Sequence, residues 1–173
     1  LFLSIEGFFE EVYKTHQSEV AVILYFHKDA DKWGYCVPQQ TVSGSSVKYD
    51  LSKGLDFIHE DNLNRRADSI PEGYAQVGSI HSHASMSAFH SGTDNADEFN
   101  FDGIHITIGG FDKPQHEYAC RMIISGNEYK KNLSEVVNFP TRTGIYPKDI
   151  MSKVEKPSVI HISNGWNGVG SYY

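Results

Sequence analysis

Gly78-Ser79-Ile80-His81-Ser82-His83-Ala84-Ser85-Met86-Ser87-Ala88-Phe89-His90-Ser91-Gly92-Thr93-Asp94 is the stretch around which the chain is organised. Its approach, Tyr74-Ala75-Gln76-Val77-Gly78-Ser79-Ile80, alternates small or apolar residues with polar ones and reads as a strand entering a core. In a strand, residues i and i+2 point to the same face, so His81 and His83 present two imidazoles side by side. Asp94 lies beyond a loop of small residues that can fold back. Two imidazole nitrogens and one carboxylate oxygen make a tetrahedral zinc site with one position open, the pattern of a catalytic and not a structural zinc. A His-x-His pair alone is a weak signal; Ser91 and Asp94 at set spacing specify four positions within one short window. Ser91 to Asp94 is also a capping-box spacing, and on that reading the two residues only start a helix.

The chain has 173 residues and a formal charge of −7, which fits one domain with a sizeable core. The acidic balance argues against a nucleic-acid binder that works through phosphate contacts. There is no apolar run of about 18 residues, so no membrane span is expected. Leu1-Phe2-Leu3-Ser4 has no basic region and no cleavage-type sequence, so no signal peptide is expected. Cys36 and Cys120 lie far apart in strand-like contexts and read as buried free thiols, which fits a reducing cytoplasm.

Taken in order, residues 4–15 read as an amphipathic helix with Ser4 as N-cap, Ile5, Phe8, Phe9, Val12 and Tyr13 inward, and Glu6, Glu10 and Glu11 in solvent. Glu19-Val20-Ala21-Val22-Ile23-Leu24-Tyr25-Phe26 is the clearest strand, apolar enough to be buried on both faces, with a carboxylate at its mouth. A turn at residues 29–32 leads to a strand over 33–38 and 41–42, with Pro38 at the sheet edge. A second turn at 43–46 leads to a short strand at 47–49. Residues 50–72 show no clear period; Leu55, Ile58 and Leu63 fit a helix, and residues 62–68 read as a polar, mobile loop. A helix starts near Asn95, strands cover 103–110 and 117–125 as an antiparallel pair, and a short helix opens at Leu133. The expected organisation is one domain over residues 1–138 and an appendage over 139–173 that packs on the domain or on a partner. His105 alternates with apolar residues and reads as a satisfied core histidine; His90 reads as a loop residue.

The spacing His81-Ser82-His83, seven residues, Ser91, two residues, Asp94 resembles the signature of the JAMM (MPN-plus) metalloprotease family, with no departure in spacing. That family also carries a Glu on an early strand, and Glu19 stands where it is expected. The resemblance covers roughly residues 15–125, and the phrase Ala88-Phe89-His90-Ser91-Gly92-Thr93-Asp94 is similar to the compact bacterial and phage-type branch. It implies an α/β, three-layer domain of the MPN/JAB kind, cytidine-deaminase-like, with a curved mixed β-sheet flanked by helices. It implies one zinc per chain, held by His81, His83 and Asp94, with Glu19 and Ser91 as catalytic residues. In this family an insertion near residues 50–72 helps grip the protein substrate, where Arg65 and Arg66 are candidates for a partner's acidic surface. The segment from Asp94 to Gly103 is too short for the second insertion of the polyubiquitin-specific members.

The chemistry of such a site is amide hydrolysis without a covalent intermediate: a zinc-activated water, Glu19 as general base and acid, and the Ser91 hydroxyl at the oxyanion. The implied function is a metallo-isopeptidase that cleaves after the C-terminus of a ubiquitin-like modifier, either from its conjugates or from a precursor. Activating and conjugating enzymes of the same pathway are the implied further partners. An extended modifier tail would add as a strand at an open sheet edge. Two alternatives stand beside it. One is a narrower peptidase that trims a sulfur-carrier protein or a cell-wall peptide; the other is a catalytically silent MPN scaffold.

Overall fold

The computed structural model describes residues 1–138 and 148–156. The apolar run at 159–162 and the Gly- and aromatic-rich end at 164–173 lie outside the described residues. One helix, α1 (Phe2–His16), precedes β1 (Ala21–His27), β2 (Lys32–Ser43), β3 (Ser46–His59), β4 (Asn62–Ala67) and β5 (Tyr74–Ser82). Then come α2 (Gly92–Glu98), β6 (Gly103–Gly109), β7 (Glu117–Ile124), β8 (Asn127–Lys131), α3 (Leu133–Val136), a 3-10 turn (Lys148–Lys153) and β9 (Val154–Glu155). The architecture is mixed α/β. The strands form one nine-stranded sheet in the order β4-β3-β2-β1-β5-β6-β7-β8, with β9 on β2. β5 runs parallel to β6 and β2 to β9; the other pairings are antiparallel.

The apolar pattern of each element decides which face it covers. On α1, Ile5, Phe8, Phe9 and Val12 are completely buried, as the helical spacing requires. They pack with Val20, Val22 and Leu24 of the β1 region and with Ile80, Ile106, Ile108 and Cys120 of β5–β7. The alternate residues Ile23 and Tyr25 face the other way and join Cys36 and Phe57 in a second, smaller core. Each fully buried side chain of this size contributes about 1.5–3 kcal/mol, so β1, buried on both faces, anchors the sheet. Gln17 ends α1 in a left-handed conformation (φ 50°), its N–H bonded to the Tyr13 carbonyl. The 148–156 segment adds Ile150 and Val154 to the α1-side core, and Arg66 of β4 bridges Asp56 and Asp149 at 3.0 and 2.8 Å. No helix among the described residues is long and apolar enough to cross a membrane.

Four expectations are corrected. Ser4 does not cap α1: Leu1 is the N-cap, and Ser4 is buried inside the helix with its hydroxyl 3.2 Å from that of Tyr35. Glu6 is not in solvent, because its carboxylate accepts from the Tyr118 hydroxyl of β7 and the His116 ring just before it. Residues 50–72 hold no helix and no loop at 62–68; they form most of β3 and all of β4. The period is hidden because the first half of β3 and most of β4 are exposed, and only Asp56–Ile58 are buried. Pro38 is not at the sheet edge but inside β2, at a register shift between Pro38 and Gln39. There the Gln40 side-chain amide accepts from the Ala21 N–H (2.9 Å) and donates to the Ala21 carbonyl (3.1 Å), standing in for strand backbone. The edge strand β8, polar and lysine-bearing, adds to what the periodicity showed.

Candidate metal centre

The signature stretch folds as strand, tight turn, loop and helix. His81 sits in β5 between Ala21 of β1 and Thr107 of β6. Gly78 lets the two parallel strands close up, since a Cβ there would overlap the Ile104 carbonyl oxygen. His83 continues the line, its N–H donating to the Ile108 carbonyl at 2.8 Å. Ala84, in a left-handed conformation (φ 48°), then turns the chain away. Between the two histidines, Ser82 points elsewhere: its hydroxyl accepts from the Val20 N–H at 3.0 Å, and its own N–H donates to the Val20 carbonyl at 2.9 Å. That clasp, with a bond from the Glu19 N–H to the Ser43 carbonyl (2.8 Å), fixes Glu19 at the mouth of β1.

Ser91 is the N-cap of α2, its hydroxyl accepting from the Asp94 N–H at 3.2 Å, while the Asp94 carboxylate accepts from the Ser91 N–H. The capping box is therefore real, and it does not exhaust the carboxylate. Asp94 Oδ1 stands 3.3 Å from His81 Nε2, Asp94 Oδ2 stands 3.5 Å from His83 Nε2, and the two Nε2 atoms are 3.3 Å apart. Ligand atoms about 2.0–2.2 Å from one tetrahedral ion stand about 3.3–3.6 Å from each other. Each imidazole nitrogen thus stands at such a separation from the other and from one of the two Asp94 oxygens, and the group can hold a metal. Both histidines are buried and Asp94 is half-buried.

The electrostatics fit the same picture. Burial alone would raise the Asp94 carboxyl, but hydrogen bonds from His81 and His83 hold it far below the usual carboxylate range. Burial pulls the His83 imidazolium down, and the Asp94 and Glu19 carboxylates more than offset it, so His83 ends raised. Glu19, only 6% exposed, is raised by burial, with His83 and His81 partly offsetting and Asp94 adding to the rise. Glu19, His81, His83, Ser91 and Asp94 line one cleft of about 200 Å³. Its rim carries Tyr49, Met86 and Phe89, all substantially exposed. The Phe89 ring meets the His83 ring edge-on at 4.7 Å.

His105 is buried, with its Nδ1 2.9 Å from the Ser79 hydroxyl and its Nε2 3.1 Å from the Phe101 carbonyl. His90 is not on the open surface of its loop. Its side chain is 10% exposed, with Nδ1 3.2 Å from the Thr107 hydroxyl, and burial followed by the Arg121 charge pushes it down to about 3. Two further residues adjoin the site: Glu98 lines the cleft, and Arg121 donates to Glu98. Glu98 lies four residues after Asp94, one helical turn away, and Arg121 is a charge among apolar residues of a strand. Both were signals in the sequence, but their pairing required the fold.

No protein-family model matches this chain, and no curated protein matches it. The separations of His81, His83 and Asp94 carry the case for a metal on their own.

Proposed function

We propose that this chain is a zinc-dependent peptidase of the JAMM kind that hydrolyses the amide bond after the C-terminal tail of a ubiquitin-like modifier. One observation carries the reading: His81, His83 and Asp94 converge within metal-ligand reach in the same cleft as the buried carboxyl of Glu19, which burial raises above its ordinary value. The helices α1 and α2 on opposite faces of a mixed sheet agree with the fold the resemblance implies.

A zinc ion bound at this site supplies Lewis acidity and makes a water easier to deprotonate. Glu19, raised by burial, takes the proton of the attacking water and returns it to the departing amine. Ser91 uses an oxygen lone pair to cap α2, which leaves its hydroxyl proton free to donate to the developing oxyanion. Over residues 46–50, β3 pairs only with β2 among the described residues, so one edge is open beside the Val47 and Tyr49 that line the cleft. An extended tail adds there as a further strand, with Met86 and Phe89 on its other side. Two buried free thiols, Cys36 and Cys120, support a reducing, cytoplasmic setting.

The test is cleavage of a ubiquitin-like fusion by zinc-loaded protein, compared with short peptides of the same scissile sequence. Cleavage of the fusion alone supports the modifier; equal cleavage of both points to a narrower peptidase; cleavage of neither by a zinc-loaded, folded chain overturns the reading.

A further inference from the structure

We propose that Glu98, locked by Arg121, is a positioning residue that holds His81 in the tautomer able to bind metal. This rests on the reading of His81, His83 and Asp94 as ligands. His81 Nε2 is the nitrogen that faces His83 and Asp94. A neutral imidazole that ligates through Nε2 carries its proton on Nδ1, and that N–H needs an acceptor. On the far side of the ring, Glu98 Oε1 stands 3.6 Å from His81 Nδ1, a few tenths of an ångström beyond hydrogen-bond length. That gap must close by these few tenths of an ångström when Nε2 is ligated.

The carboxylate is built to leave this one oxygen free. Arg121 donates through both Nε (3.0 Å) and Nη2 (2.6 Å) to the same atom, Glu98 Oε2. Its Nη1 donates to Asn95 Oδ1 at 2.6 Å, its guanidinium lies 5.1 Å over the Phe99 ring, and Glu128 Oε1 stands 3.5 Å away. Arg121 is thereby fixed against α2 and β8 at once. Glu98 and Arg121 are 6% and 1% exposed. A buried ion pair is weak evidence for stability, since apolar residues of similar volume often serve as well. Its use here is orientation. His83 is served in the same way by simpler means, with Nδ1 3.3 Å from the Ser87 carbonyl. Each ligand histidine thus has an acceptor behind it, one from backbone and one from the Glu98–Arg121 pair.

The test measures zinc affinity by chelator competition on folded wild type and on Glu98→Gln, together with the histidine ring ¹⁵N and N–H resonances of the zinc-loaded wild type. The expected result is zinc binding weakened about 10- to 100-fold in Glu98→Gln, and a far-downfield His81 Nδ1–H in the wild type. The resonance needs no variant, so failure of Glu98→Gln to fold leaves the proposal testable. A purely structural role would lower the melting temperature of the metal-free variant and leave zinc affinity per folded molecule unchanged, which overturns the proposal. A zinc-loaded wild type with His81 protonated on Nε2 overturns it as well. A folded wild type that binds no zinc overturns the ligand reading itself, and the role of Glu98 falls with it.

Discussion

The two faces of β5, β6 and β7 are made from neighbouring residues of the same strands, yet they are held by opposite physics. Toward α1 the strands present Ile80, Ile106, Ile108 and Cys120, and the face is mainly apolar, with the Ser82 hydroxyl on Val20 and the Tyr118 hydroxyl on Glu6 as its polar contacts. Toward α2 they present His81, His105, Thr107 and Arg121, all buried and all polar. A chain that needed only stability would make both faces of the first kind, because burying polar groups gains nothing unless every partner is supplied. Here the partners are supplied: Ser79 and Phe101 to His105, Glu98 to Arg121, Asp94 to His81 and His83. The α1 face makes the fold, and the α2 face makes the site.

That contrast can be broken in several ways. The largest effect is expected from Glu19→Gln, which keeps zinc and fold but lowers cleavage by about 10²–10⁴-fold; retained turnover would remove Glu19 from its role. Next, Phe8→Ala on the α1 face costs about 3–5 kcal/mol in chemical denaturation, while zinc affinity of the folded fraction stays unchanged. On the α2 face, Arg121→Leu alone leaves Glu98 buried without its partner and costs about 3–5 kcal/mol. The pair Glu98→Leu with Arg121→Leu is expected to recover most of that stability and still bind zinc weakly. Full recovery of both would make the polar face merely structural. The smallest effect concerns Cys36, whose thiol is pushed up to about 12 by burial and then by Asp56. It is expected to resist alkylation at pH 8 in the folded chain and to react on unfolding, read by mass spectrometry.

What the sequence disclosed follows the same division. Local signals were legible: the continuous apolar run of β1, the alternation of β6, and the fixed spacing from His81 to Asp94 that the fold gathers into one cleft. The capping box and the ligand group, read as rivals, turn out to share the Asp94 carboxylate. Of the β3–β4 hairpin only the start of β3, at 47–49, was legible; the rest was not, because most of its side chains are exposed and carry no period. Pro38 misled because its missing N–H is compensated by Gln40, a partner no propensity names. Glu98 and Arg121 lie 23 residues apart and meet only because α2 crosses β7, so nothing local in the chain announces them as a pair.

The central claim is that His81, His83 and Asp94 hold one catalytic metal. The direct measurement is metal content by native and elemental mass spectrometry on wild type and His83→Ala. About one zinc per wild-type chain, lost in His83→Ala with the fold retained, is the predicted result. A well-folded wild type that takes up no metal from a zinc-replete buffer would contradict it.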